Sequence, residues 1–133
     1  MPAEIQNRMK KYALFLIVLC FAGCRPRIPD DFTVSGQTLD DWLEAQADER
    51  PEVRARAVRA LSNVGPDVPE IMPALIEALS DPEAEVRRQA VLALLKFGPG
   101  ASAAVPALTA AQDDADATVR DLAAKALEKI EGG

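Results

Sequence analysis

Apolar residues follow a helical spacing in two kinds of segment that alternate along most of the chain. In the first kind, Ile71, Leu75 and Leu79 recur at intervals of four and so share one face of a helix. A short turn at 80–82 follows. The second kind of segment has the same kind of spacing, in Val86, Ala90, Ala93, Leu94 and Phe97. The pattern therefore predicts a pair of helices joined by a tight turn, each with one apolar face.

This helix pair recurs at a shift of 33 residues, which indicates an internal repeat. Equivalent positions carry the same residue in all three copies, as in Asp48, Asp81 and Asp114; Arg54, Arg87 and Arg120; and Leu61, Leu94 and Leu127. Because one pair cannot bury its apolar face alone, the copies must stack. We expect an all-α fold, a short α-solenoid of about three helix pairs within residues 38–131, with units near 38–65, 69–98 and 102–131.

Residues at the segment ends match the signals that start and stop helices. Gly65-Pro66 and Gly98-Pro99 follow the second segments of the first two copies, where a glycine cap and a proline end a helix. Thr38 and Asp41 form a capping-box-like start to the first copy. In that copy Trp42 stands at the place of Leu75 and Leu108, which predicts a core position.

The N-terminal segment has a different organisation. Arg8, Lys10 and Lys11 precede an apolar run at 12–23, which is too short to cross a bilayer comfortably and fits the core of a secretory signal peptide. The run ends in Phe21-Ala22-Gly23-Cys24, which resembles the lipobox of bacterial lipoproteins. The segment departs from the lipobox pattern at Phe21, because that pattern usually has leucine there. The alternatives are an ordinary cleaved signal and a short uncleaved anchor.

The resemblance implies that residues 1–23 are a lipoprotein signal peptide and that Cys24 carries the lipid. Residues 24–37 contain two prolines and no helical period, which predicts an extended tether between membrane and repeats. Arg25 stands after Cys24, where aspartate is the signal for retention in the inner membrane. The expected location is therefore the outer membrane, with the repeats facing the periplasm.

Composition narrows the possible functions. The chain has 133 residues, a formal net charge of −6 and no histidine, and its two cysteines both lie in the N-terminal segment. The missing histidine removes Ser-His and Cys-His catalytic pairs and His-ligated metal sites. The negative charge disfavours a general nucleic-acid binder. We therefore expect no enzyme activity, no cofactor, no metal site and no nucleic-acid partner.

The repeat motif resembles a known family. Its pattern is Asp-x-x-x-x-Val-Arg, an alanine four residues after the valine, a leucine four after that, and a glycine. This closely resembles HEAT repeats, in particular the short bacterial HEAT-like units also found in phycobilisome lyases. The resemblance implies that second helices line the inner face and first helices the outer face. It also implies that the repeated aspartates cap second helices or bond across repeats, and that the repeated arginines form a ladder between repeats with them, as architecture and not as a binding site.

Charges predict a candidate binding face on the second helices. These helices are rich in cations, whereas the first helices and the turns carry most of the acids. The pattern fits either a recognition surface or a solvated arrangement that suits the helix dipoles. The candidate partner-binding residues are Arg56, Arg59, Arg88, Leu92 and Lys125.

These features favour a non-catalytic protein-interaction module, anchored in a membrane through Cys24 and binding a protein partner of acidic character. One alternative is an accessory subunit related to the HEAT-like bilin lyases, which resemble this chain only in the repeat. Another is a structural envelope protein with no discrete partner.

Overall fold

The helices of the fold come in three successive pairs. In the computed structural model, the described residues are 33–34 and 36–133. The predicted signal peptide, Cys24 and most of the predicted tether lie outside the described residues. The pairs are α1 (Leu39–Ala45) with α2 (Pro51–Val64), α3 (Ile71–Ala78) with α4 (Ala84–Phe97), and α5 (Val105–Ala111) with α6 (Ala117–Gly132). The predicted all-α solenoid of three helix pairs is confirmed.

A two-stranded antiparallel hairpin precedes the first helix. Strand β1 (Thr33–Val34) pairs with β2 (Gln37–Thr38), and Gly36 takes a positive φ of 78° in the turn between them. The hairpin contacts α2 through β1 and leads directly into α1. The tether was predicted to be extended, but its pairing into a hairpin was not predicted.

The ends of the helices follow the predicted signals. The backbone N–H of Asp41 donates to the Thr38 hydroxyl over 3.3 Å, and the Thr38 N–H donates to the Asp41 carboxylate over 3.0 Å. This reciprocal capping box begins α1. Gly65 and Gly98 end α2 and α4 with φ values of 108° and 55°, a region that favours glycine.

Small side chains on the second helices form much of the core. The second helices of successive repeats pack on one another, and each first helix packs on the second helix of its own pair. Alanine at the contacts lets the helices approach closely. The buried set includes Ala57, Ala60, Ala90, Ala93, Ala123 and Ala126. Trp42, Leu75 and Leu108 are also buried, as their equivalence predicts.

A 3₁₀ helix joins the second and third pairs where the sequence indicated a stop. It spans Gly98–Ala104, so α4, the 3₁₀ helix and α5 follow one another from Ala84 to Ala111 without an intervening loop. Of the described residues, this stretch alone is long and apolar enough to cross a membrane. Ala101 breaks its helical geometry with φ −97° and ψ 19°. Val86 and Leu94 are buried against other helices, so the stretch forms part of the packed stack.

Candidate protein-binding face

A ladder of ion pairs runs between the repeats along one edge of the stack. The guanidinium of Arg54 donates to both carboxylate oxygens of Asp81, over 2.8 and 3.0 Å. One repeat later, Arg87 donates to Asp114 over 2.8 and 2.9 Å. These four side chains are between 11% and 14% exposed. The pairs are therefore bidentate and largely shielded from water, and they fix each repeat on the next.

The same arginines also hold the turn of their own repeat. Arg54 donates to the carbonyl oxygens of Asp48 and Glu49, over 2.9 and 3.0 Å. Arg87 and Arg120 make the equivalent bonds to the turns that precede α4 and α6. Backbone carbonyls therefore help to orient each of these guanidinium groups.

The aspartates do not occupy the N-cap position. Asp81 accepts from the backbone N–H of Glu83 over 2.9 Å, and Asp114 accepts from that of Asp116 over 2.8 Å. The N-cap residues of the second helices are the ones two positions later, Arg50, Glu83 and Asp116. Of the two roles that the resemblance allowed, the structure thus places Asp81 and Asp114 in bonds across repeats.

The two ends of the ladder differ. Asp48 has no preceding repeat within the described residues and instead accepts two bonds from the guanidinium of Arg50, over 2.9 and 3.0 Å. At the other end, Arg120 bonds the carbonyls of Asp114 and Ala115. Within the part of the chain that the structure describes, Arg120 has no carboxylate partner.

The ladder lowers the pKa of its carboxyl groups. The hydrogen bonds from Arg87 lower the pKa of Asp114, although burial opposes them. For Asp81, burial raises the pKa, but Arg54 and the Glu83 N–H together outweigh it, so the net shift is downward. The Arg88 guanidinium lowers the pKa of Asp116 to about 2. These aspartates are therefore ionised throughout the neutral range.

The exposed side of the second helices carries the other predicted residues. We call Arg56, Arg59, Leu92 and Lys125 the second-helix face. Leu92 is 41% exposed, and no other large hydrophobic side chain among the residues with described burial is exposed. Arg56, Arg59 and Lys125 are also exposed. Arg59 approaches the neighbouring helix through Gln89, whose side-chain oxygen lies 3.4 Å from its Nε. All four residues are therefore exposed, and Arg59, Leu92 and Lys125 occupy equivalent positions of successive repeats.

Arg88 does not belong to this face as a free cation. It donates to Asp116 over 2.8 and 3.2 Å and to Glu85 over 3.2 Å, and its side chain is 35% exposed. In the repeat register Arg88 is equivalent to Ala55, whereas Gln89 is equivalent to Arg56. The prediction that Arg88 extends the face as a free cation is wrong, because its guanidinium is paired with the carboxylates of Asp116 and Glu85.

Sequence reasoning missed Leu122, which is half-buried and packs against the core. In the repeat register Leu92 and Leu122 correspond to Arg59 and Gln89, the pair whose side chains approach each other across two helices. Arg56, Gln89 and Leu122 are equivalent positions of successive repeats, so the period of 33 residues predicts a side chain of this face at Leu122.

The turn at 113–116 connects α5 to α6. Across residues 33–34 and 36–133, no group of three His, Cys, Asp or Glu side chains is arranged to hold a metal ion. In the turn at 113–116, Asp114 forms an ion pair with Arg87 and Asp116 forms one with Arg88.

The repeated helix pairs, stacked through their second helices, define the class of protein as an α-solenoid. A family model described as HEAT repeats matches residues 39–128. The chain belongs to the HEAT-repeat family. A search of curated proteins found no similar sequence. HEAT repeats commonly serve as scaffolds for protein–protein interaction.

Proposed function

We propose that this protein is a non-catalytic protein-interaction module, held at a membrane by lipid on Cys24, which binds its partner through the second-helix face. The observation that carries the proposal is the placement of exposed Leu92 in one register with the exposed cations Arg59 and Lys125. An apolar side chain within a polar rim is the usual composition of a protein-binding site.

The charges on this face are available to a partner. Within the described residues, the side chains of Arg56 and Lys125 make no hydrogen bond or ion pair, and the side chain of Arg59 bonds only the neutral side chain of Gln89. The ladder arginines Arg54 and Arg87, in contrast, form ion pairs with Asp81 and Asp114. Exposed cations that have no ion-pair partner within the fold complement the charge of an acidic partner.

The proposed anchor rests on the sequence alone. Cys24 follows a basic segment and an apolar run, and the residues up to the hairpin provide a spacer. A lipid at Cys24 would hold the repeats at an envelope membrane, which we propose is the outer membrane, with the binding face in the periplasm.

The test is capture of the partner from native membranes. The variant Arg56→Glu/Arg59→Glu/Lys125→Glu reverses the free cations and leaves the ladder intact, so we expect an unchanged helical circular dichroism spectrum and loss of the captured proteins. Arg88 is left in place because a glutamate there would oppose Asp116. The control Arg50→Gln/Arg120→Gln removes two cations elsewhere and should retain the partners. Retention of the same proteins by the reversed variant would refute the binding face.

A further inference from the structure

The second-helix face has one distinctive row across the three second helices. Arg59, Leu92 and Lys125 are equivalent positions of successive repeats, which places one of them on each of α2, α4 and α6. In the repeat register, Leu92 and Leu122 correspond to Arg59 and Gln89, whose side chains approach to 3.4 Å, and we infer that the two leucines are neighbours. The row therefore presents a cation, an apolar patch and a second cation, in that order along the stack.

Charge changes along the length of these helices. Exposed Glu52 and Glu85 stand near the starts of α2 and α4, and exposed Lys96 stands near the end of α4. On α6 the exposed cations Lys125 and Lys129 are interspersed with the exposed acids Asp121, Glu128 and Glu131. Lys96 also bonds Asn63 and the carbonyl of Ser62 in the preceding repeat. An acidic ligand is therefore repelled from the starts of α2 and α4 and attracted toward Arg59 and Lys96.

We propose that this row binds an extended segment of a partner protein that carries one apolar residue between two acidic residues. This inference rests on the proposed function and specifies the partner. The apolar residue covers Leu92 and Leu122, and the two carboxylates meet Arg59 and Lys125.

Helix packing sets the spacing of the acidic residues. Packed helices lie about 8–10 Å apart, so the outer members of the row are separated by about 16–20 Å. An extended chain advances about 3.3 Å per residue, and five to six residues therefore span that distance. The two acidic residues stand about three positions before and three positions after the apolar residue.

The exposed apolar surface favours an extended segment over a helix. A helix bound in a groove typically inserts apolar residues at i, i+3 or i+4, and i+7, which requires a long apolar strip. Here Leu92 is the one large apolar side chain that is exposed among the residues with described burial, and Leu122 adds only a half-buried neighbour.

The test uses fluorescein-labelled peptides and the full chain in zwitterionic nanodiscs, with binding followed by fluorescence anisotropy. The probe is Asp-Ser-Ser-Leu-Ser-Ser-Asp. One comparison peptide, Ser-Ser-Asp-Leu-Asp-Ser-Ser, has the same composition with the acids moved inward. A second replaces leucine by serine and keeps both acids in place. We expect each change to weaken binding about fivefold or more, because each removes contact with one part of the row.

Variants of the protein test the same contacts from the other side. Arg59→Gln and Lys125→Gln should each weaken binding of the probe peptide about two- to fivefold, as expected for exposed ion pairs. Leu92→Ser should weaken it further and remove the preference for leucine over serine. The matched control Arg50→Gln/Arg120→Gln should leave binding unchanged.

Equal binding of the probe and the inward-acid peptide would overturn the proposed spacing. Tighter binding of a helical peptide with acids about eleven residues apart would overturn the extended conformation. If no peptide binds but capture of the membrane partner still depends on Arg59 and Lys125, the inference fails and the proposed function stands. If capture does not depend on these residues, the proposed function itself fails.

Discussion

Arg87 and Asp114 stand 27 residues apart in the chain and are joined by two hydrogen bonds of 2.8 and 2.9 Å. The pair links the second helix of one repeat to the turn of the next. The Arg87 side chain also bonds two carbonyls of its own turn. One side chain thus fixes both the turn within its repeat and the spacing to the following repeat.

Arg87→Ala should destabilise the fold more than Arg120→Ala. The first change leaves the largely buried Asp114 without its cation, which costs about 2–3 kcal/mol. Arg120 makes the same carbonyl bonds and has no carboxylate partner in the described residues, so its loss should cost less than about 1 kcal/mol. Urea unfolding followed by circular dichroism measures the difference. Equal losses for the two variants would show that the ion pair adds nothing.

Stability should fall as the pH drops from about 4 to about 2. The folded state lowers the pKa of Asp81, Asp114 and Asp116, the last to about 2. A lowered folded pKa stabilises the protein above the unfolded value near 3.9, and this stabilisation is lost as the pH falls through the folded pKa. The measurement is the melting temperature from pH 7 to pH 2.

The control for this pH dependence is Arg54→Met/Arg87→Met, which removes the cations that lower two of these pKa values. It should be less stable at pH 7 and lose less stability on acidification. If the variant loses as much as the unmodified chain, the ladder does not cause the acid sensitivity.

Features that depend on local spacing were predictable. The period of 33 identified the buried alanines and the place of Trp42, and Thr38 with Asp41 indicated the start of α1. The 3₁₀ helix was missed because Gly98-Pro99 is a stop signal in sequence, whereas the burial of Ala101 and Ala104 favours a compact helical link.

The membership of the second-helix face was only partly predictable. The placement of Arg56 and Arg59 follows from their i, i+3 spacing, but the ion pairs that engage Arg88 do not follow from its position on α4. Its partner Asp116 is 28 residues away, on a turn of the next repeat. Such a contact depends on how the repeats are stacked, which helical periodicity within one repeat does not specify.

Ala90→Leu should disrupt the packing between second helices. Ala90 is fully buried on α4, which packs against both α2 and α6. A larger side chain there forces the helices apart and costs about 1–3 kcal/mol. The same change at Ala110, which is exposed on α5, is the matched control. Thermal unfolding should show a lower midpoint for Ala90→Leu only; equal midpoints would reject the close contact at this alanine.

Cys24→Ala should release the protein from membranes or leave the precursor uncut. The apolar run at 12–23 is shorter than the roughly 20 residues that a spanning helix needs, so stable attachment requires the lipid. Cys20→Ala is the matched control, because bulky Leu19 before Cys20 does not fit the cleavage pattern, and it should leave attachment unchanged. Membrane fractionation and mass spectrometry of the mature N-terminus measure both effects. An unmodified mature chain that begins at a residue other than Cys24 would contradict lipidation, and the repeats would then reach their partner without this anchor.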